Sequence, residues 1–172
     1  LDEYHPSFPD EYPNSDYPDP LAINMGSSIV SNTCQGSAAN YSLALSDPFS
    51  LSPVMEGEGS EVPDSPYGEE LQFIRTTIIQ TNAYSEGVTA AAEQGANIVD
   101  YPEDSRFAEQ LKNIALLISG GLKTKIYIAT LGGFDTHAEQ VVDGNTTTGE
   151  HALLRSSLSS AVAAFQADLQ AL

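Results

Sequence analysis

An aspartate and a histidine separated by one residue, Asp135 and His137, follow Gly132-Gly133-Phe134 directly after the apolar run Ile126-Tyr127-Ile128-Ala129-Thr130-Leu131. A carboxylate oxygen beside an imidazole nitrogen suits a divalent metal, and the two glycines let the backbone turn sharply and approach a ligand closely. Catalytic zinc usually takes three protein ligands and keeps one position open, so further carboxylates or imidazoles must converge from elsewhere. His151 is the next imidazole along the chain and the weaker third candidate. The same residues also allow a structural role, in which Asp135 accepts backbone N–H bonds to cap a turn and His137 faces solvent.

The elements that must position this pair can be read on either side of it. The run 126–131, entered from Lys123-Thr124-Lys125 and left through Gly-Gly, reads as a core strand of a parallel sheet. The loop beyond it is where open α/β sheets bind ligands. Ser65-Pro66 with Glu69 and Glu70 combines an N-cap, a proline in the first turn and acids at the positive helix end. A helix is predicted from there, with Leu71, Ile74 and Ile78 as its buried stripe, a weaker continuation through Tyr84, Val88 and Ala91, and a kink at Gly87. Asp104 or Ser105 caps a second helix carrying Phe107, Leu111, Ile114, Ala115 and Ile118 on one face, stopped by Gly120-Gly121. After the stretch Asp143–Gly149, a last helix is expected to turn Leu154, Leu158, Ala161, Phe165 and Leu172 inward. Helix, strand, loop and helix make half of a doubly wound unit.

The first part of the chain is different. Pro6, Pro9, Pro13, Pro18 and Pro20, interleaved with Tyr4, Phe8, Tyr12 and Tyr17, exclude both helix and central strand over 1–20. Such rings pack on something, so this segment is expected to be an extended arm lying on a larger body, with sugar stacking as a second use. Short strands follow at Leu21–Gly26 and at Tyr41–Leu45, the latter alternating as if one face were wet, and 46–64 reads as a long loop. The 172 residues suffice for a single domain, a Pro/Gly-rich arm with short strands over 1–64 and the helices, strand and loop over 65–172. Leu1 in place of Met, and a final helix still in register at Leu172, predict a segment of something longer.

Six Lys and Arg against 24 Asp and Glu give a formal charge of -18, which repels nucleic-acid phosphates and anionic membranes. Calcium on the acidic loops is chemically reasonable, although no segment has EF-hand spacing. Cys34 stands alone, so no disulfide forms within the chain, and it reads as a small packed side chain rather than a nucleophile. No apolar stretch reaches the ~18 residues of a transmembrane helix. No phosphate-binding glycine loop, paired Cys-x-x-Cys or Gly-x-Ser-x-Gly elbow is present.

Gly132–Gln140, Gly149–Leu154 and Leu158–Leu169 together resemble the signature region of the domain of unknown function 1501 family, exported bacterial proteins related to the alkaline phosphatase and sulfatase superfamily. Leu1–Pro6, Pro18–Ile23 and Cys34-Gln35-Gly36 are similar to the form found in Bacteroidetes members. The resemblance implies a helix-rich fragment of an alkaline phosphatase-like, doubly wound α/β fold with few strands. It also implies export to the periplasm or cell surface, and Asp135 and His137 as ligands of Zn, Mn or Ca. The family's Ser-Glu-Phe-Gly-Arg strand end and Asp-His-Gly segment are missing, so the remainder of a parent protein is the expected partner. The expected function is that of a metal-dependent phosphate or sulfate ester hydrolase, inactive in this piece alone. The alternative is a non-catalytic surface or binding protein on the same fold. Exposed apolar sheet edges would make the isolated chain self-associate.

Overall fold

The computed structural model describes residues 1–26, 32–37, 39–51, 62–137 and 140–172. Ala22–Met25 (β1) pairs in parallel with Ser42–Leu45 (β2) on one side and Ile126–Ile128 (β3) on the other, giving the order β2-β1-β3. Ala22 lies opposite both Ser42 and Ile126. Three α-helices, Pro66–Gln94 (α1), Arg106–Ser119 (α2) and Glu150–Gln170 (α3), and one 3-10 turn at Asn32–Cys34 complete the described elements. The class is mixed α/β with a small parallel sheet.

All four β1 residues are buried, so the central strand needs cover on both faces. Ile23 and Met25 join Leu43 and Leu45 beneath Tyr84, Val88, Phe107, Leu111 and Leu117 of α1 and α2. Ala22 belongs instead to a second cluster with Leu21, Cys34 and Tyr41, against which Phe8, Tyr12, Tyr17 and Ile128 pack. Alternation along the strands thus divides the core into a helix-covered and an arm-covered face. The arm does pack through Phe8, Tyr12 and Tyr17, with Tyr4 left exposed, but it is folded into turns rather than extended. Its amides bond locally, Phe8 N–H to His5 O at 3.1 Å and Tyr12 N–H to Pro9 O at 3.0 Å. These bonds supply partners that a lone extended segment would lack. Asp2 fastens the arm's start, accepting from Tyr41 Oη–H at 2.7 Å and from Ser37 N–H at 2.9 Å. The Tyr41 bond, followed by the Ser37 bond, holds the Asp2 carboxyl below its ordinary pKa.

Expectations for the strands and for α1 also need correction. The strand expected over 126–131 ends at Ile128 and lies at the edge of the sheet, with Ile126 39% exposed; β1 occupies the centre. Thr130 has left the strand because a side chain takes both its backbone groups, as described below. The wet face expected of β2 is reduced to a half-buried Ala44: Ser42 is buried because Asn40 Oδ1 accepts its N–H at 2.8 Å and its hydroxyl at 2.7 Å. In α1 the strong and weak halves of the stripe exchange roles. Ile74 is 53% exposed, while Tyr84, Val88, Ala91 and Ala92 are buried, because the helix is long enough for its first half to pass beyond the sheet. The helix runs unbroken through Gly87. Ser65 caps it and Ser105 caps α2, each accepting an N–H from the third residue onward. Of the loop expected over 46–64, residues 52–61 lie outside the described residues.

α3 packs mainly on α2. Ala161 is fully buried and Leu154 and Phe165 half-buried, but Leu158 and Leu172, expected inward, are exposed. What holds the helix is a carboxylate. Asp168, 3% exposed, accepts from Ile98 N–H and Asn97 Nδ2 at 2.8 Å, Tyr101 Oη–H at 2.9 Å and Val99 N–H at 3.2 Å. It therefore fastens α3 to the segment joining α1 and α2. No helix among the described residues is long and apolar enough to cross a membrane.

Burial raises the Asp168 pKa, but the bonds from Ile98, Asn97, Tyr101 and Val99 outweigh it and hold the carboxyl below 3.8. A depressed folded-state pKa contributes stability above the unfolded value and loses it as pH falls through the folded value. Urea unfolding should therefore show wild-type stability falling below about pH 4, and a shallower acid-side slope in Asp168→Asn. At pH 7 Asp168→Ala should cost about 3 kcal/mol, since it strands four donors. An unchanged midpoint in that variant would remove the anchor role.

Candidate functional site

The loop that carries Asp135 and His137 is positioned by Gln110 of α2. Gln110 is buried, its Oε1 accepts Thr130 N–H at 2.8 Å, and its Nε2 donates to Thr130 O at 3.1 Å and Arg106 O at 3.2 Å. The amide thus satisfies the backbone just past β3 as a neighbouring strand would. It also lies against Gly26, φ 75°, where an added Cβ would come within 2.7 Å of the Gln110 side chain. Only glycine suits both that left-handed backbone and that contact.

Beyond Thr130 the chain turns at Gly133, φ 90°, beneath Leu154 of α3, and Phe134 meets His151 edge-on with ring centroids 6.3 Å apart. Side chains then alternate. Thr136 is buried, whereas Asp135 and His137 point to solvent with side chains 85% and 84% exposed. The two-residue spacing places both on one side of the loop, and Asp135 Oδ2 lies 3.4 Å from His137 Nε2. This is longer than the ~2.7–2.9 Å of a strong charge-assisted bond. Asp135 accepts no backbone N–H from the described residues, so its expected capping role is not seen there.

The donor set fits part of a metal site. Two ligands at the ~2.1 Å bond lengths of tetrahedral zinc are separated by about 3.4 Å, the separation this pair already has. It is not a complete set, because no group of three or more His, Cys, Asp or Glu suited to a metal is gathered among the described residues. His151, half-buried on the first turn of α3, packs on Phe134 instead. Ala138 and Glu139, which follow the pair, lie outside the described residues.

A cleft of about 640 Å³ opens beside the loop, at the carboxyl ends of β1 and β3. Asn24, Gly26, Ser105, Arg106, Thr130 and Gly132 are among its walls. Ser105 caps α2 and its Oγ lies 3.1 Å from Ser157 Oγ of α3. The cleft therefore combines the positive end of a helix and an exposed arginine that makes no ion pair among the described residues with one carboxylate, Asp104, which partly offsets them. Neither Arg106 nor Gln110 stood out in the sequence. Gln110 could have been found, since it falls three residues after Phe107 on the apolar stripe of α2, where a polar side chain must find partners. Cys34 is buried, and burial raises its thiol pKa, which leaves it protonated and unsuited to nucleophilic attack.

Compared with known protein families, curated proteins and solved structures, the chain matches none. The candidate site accordingly stands on its own geometry.

Removing the Gln110 amide should loosen the loop without unfolding the protein. Gln110→Ala is expected to cost about 2 kcal/mol, with hydrogen exchange at Thr130 N–H faster by at least tenfold and the Val88 amide in α1 less affected. Equal acceleration at both positions would mean that Gln110 serves the whole core rather than the loop.

Proposed function

We propose that this chain supplies one corner of a divalent-metal site in an exported, alkaline phosphatase-like hydrolase of phosphate or sulfate esters. The observation that carries the reading is the exposed Asp135–His137 pair, at ligand spacing just past the carboxyl end of a parallel strand and beside a cleft with Arg106 and the α2 amino terminus. Asp135 Oδ2 and His137 Nε2 would hold the metal, with its remaining ligands from outside the described residues. When bound, such an ion polarises an ester oxygen and stabilises charge on a leaving group.

This chain's own residues do the rest by placement. Gln110 fixes the backbone at Thr130, Gly133 turns the loop, and Thr136 anchors it inward so that its neighbours face out. Arg106 and the first N–H groups of α2 attract an ester's anionic oxygens into the cleft. The -18 charge elsewhere repels such anions, so the cleft must act locally, over less than the ~8 Å Debye length of physiological salt. Zn, Mn and Ca are the candidate ions, with the 3.4 Å spacing favouring Zn. A second reading, a non-catalytic surface or binding protein, draws on the pair being joined by no third metal-suited ligand among the described residues.

Calorimetric titration of Zn²⁺ should give weak binding to this chain, lost in Asp135→Ala and in His137→Ala. Zinc binding unchanged by both substitutions would sink the metal corner. Binding of inorganic phosphate and sulfate should weaken at least fivefold in Arg106→Ala, and an unaltered affinity would exclude the cleft as the anion site. Partial exposure of β3 at the sheet edge, with Leu153 and Val162 exposed on α3 and Leu172 just beyond it, leads us to expect concentration-dependent self-association. Light scattering showing a monomer at high concentration would refute it.

A further inference from the structure

A larger cavity, about 890 Å³, lies away from the Asp135–His137 loop, between the arm, β2 and the first half of α1. It is within the ~300–1,000 Å³ range of small-molecule sites. Among the described residues its lining contains no Lys, Arg or His. The positive end of α1 opens on it at Ser65 and Gly68, but Asp64 and Glu69 stand there as well and offset that end. The remaining walls mix hydroxyls, amides and rings, among them Asn40, Ser42, Gln72, Thr76, Phe73 and Tyr41, with aliphatic Leu21, Leu43 and Val62. Nothing in this set favours an anion, and its carboxylates and helix end oppose one another.

The back wall is formed by Gln80 and Tyr84, one helical turn apart on α1. Tyr84 is 4% exposed, and neither its hydroxyl nor Gln80 Oε1 has a partner among the described residues. Burial, then the nearby Tyr12 and Asp19, push the Tyr84 pKa up to about 12. It therefore remains a donor at neutral pH. Gln80 Nε2 holds the arm only through long bonds, 3.2 Å to Pro9 O and 3.4 Å to Tyr12 O. Both residues line the cavity but neither oxygen is open to it, so a ligand hydroxyl reaches them only when the Gln80 side chain, held by those long bonds, moves aside. A hydroxyl is the group that serves both at once, accepting from Tyr84 and donating to Gln80.

We propose that this cavity binds a neutral, hydroxyl-rich ligand, a mono- or disaccharide, with a ring face against Phe73 and one hydroxyl between Tyr84 and Gln80. The arm contributes through Phe8 at the cavity wall. Its role is to close the site, rather than to present a groove of Tyr4, Tyr12 and Tyr17, because Tyr12 and Tyr17 are packed against each other at 5.7 Å between centroids. The site is independent of the ester reading, since it shares no wall residue with the cleft at Arg106.

The test is a protein-observed NMR titration of the full chain with glucose, N-acetylglucosamine, maltose and cellobiose, and with glucose 6-phosphate as the anionic control. At least one neutral sugar should shift amides within Asn40–Ala44 and Gln72–Gln80. Tyr84→Phe should weaken that sugar at least fivefold while unfolding at the same or higher urea concentration, because it removes an unpaired hydroxyl. Thr76→Trp, which fills the cavity from a half-buried position, should abolish binding with the fold intact. No shifts from any neutral sugar at tens of millimolar, equal affinity in Tyr84→Phe, or tighter binding of glucose 6-phosphate than glucose would each overturn the proposal. Slower exchange of an ordered water at Tyr84 without sugar binding would likewise assign the unpaired atoms to solvent.

Discussion

The structure depends on a central strand of only four residues that is buried from end to end. A parallel strand in that position exposes nothing to water, so both faces of a three-stranded sheet must be covered by chain that is not sheet. Here the covers are of different kinds. Helices α1 and α2 bring branched aliphatic side chains over Ile23 and Met25, each side chain contributing about 1.5–3 kcal/mol when fully buried. The other face is covered by proline-punctuated turns whose aromatic rings stand in for a helix, Phe8 stacked on Tyr41 at 4.6 Å and His5 edge-on to Tyr17 at 4.9 Å. Prolines suit this cover because they remove donors from a segment that has no ladder to join.

Polar side chains then do what apolar packing cannot, which is to fix the ends of elements. Gln110 terminates β3 by occupying both backbone groups of Thr130, and Asp168 ties α3 to the 97–101 segment through four donors. Both are buried, where an unmade hydrogen bond is costly, so each admits few alternative arrangements. The two anchors act on opposite flanks of the candidate loop. One sets where the chain leaves the sheet, and the other sets where the helix after the loop comes to rest.

Much of this was legible in the sequence for local reasons. Ser65-Pro66, Ser105 and Gly120 marked helix ends because caps act within a few residues, β1 was found as a short run ending in Gly26, and β3 from its branched and aromatic residues. What failed was tertiary. Strand length at 126–131 depended on a glutamine twenty residues earlier, and the burial of α1 depended on how far the sheet extends beneath it. Asp168 was readable in principle, since 154, 158, 161 and 165 set a stripe whose next member is 168. A charge at that position announces a buried network. The Asp135–His137 pair was visible as a spacing, but whether both face out required the inward turn of Thr136.

That alternation decides what the loop can do. An isolated surface aspartate and histidine would lose side-chain entropy on being gathered, and exposed pairs of this kind contribute little. Here the backbone leading into the pair is already fixed, by Gln110 at Thr130 and by Leu154 of α3 over Gly133, and the pair is presented at 3.4 Å. Preorganised donors facing outward, not into the core, leave the other side of any ion open. A metal held there would have its remaining coordination positions directed away from this sheet, toward whatever chain or substrate meets the loop.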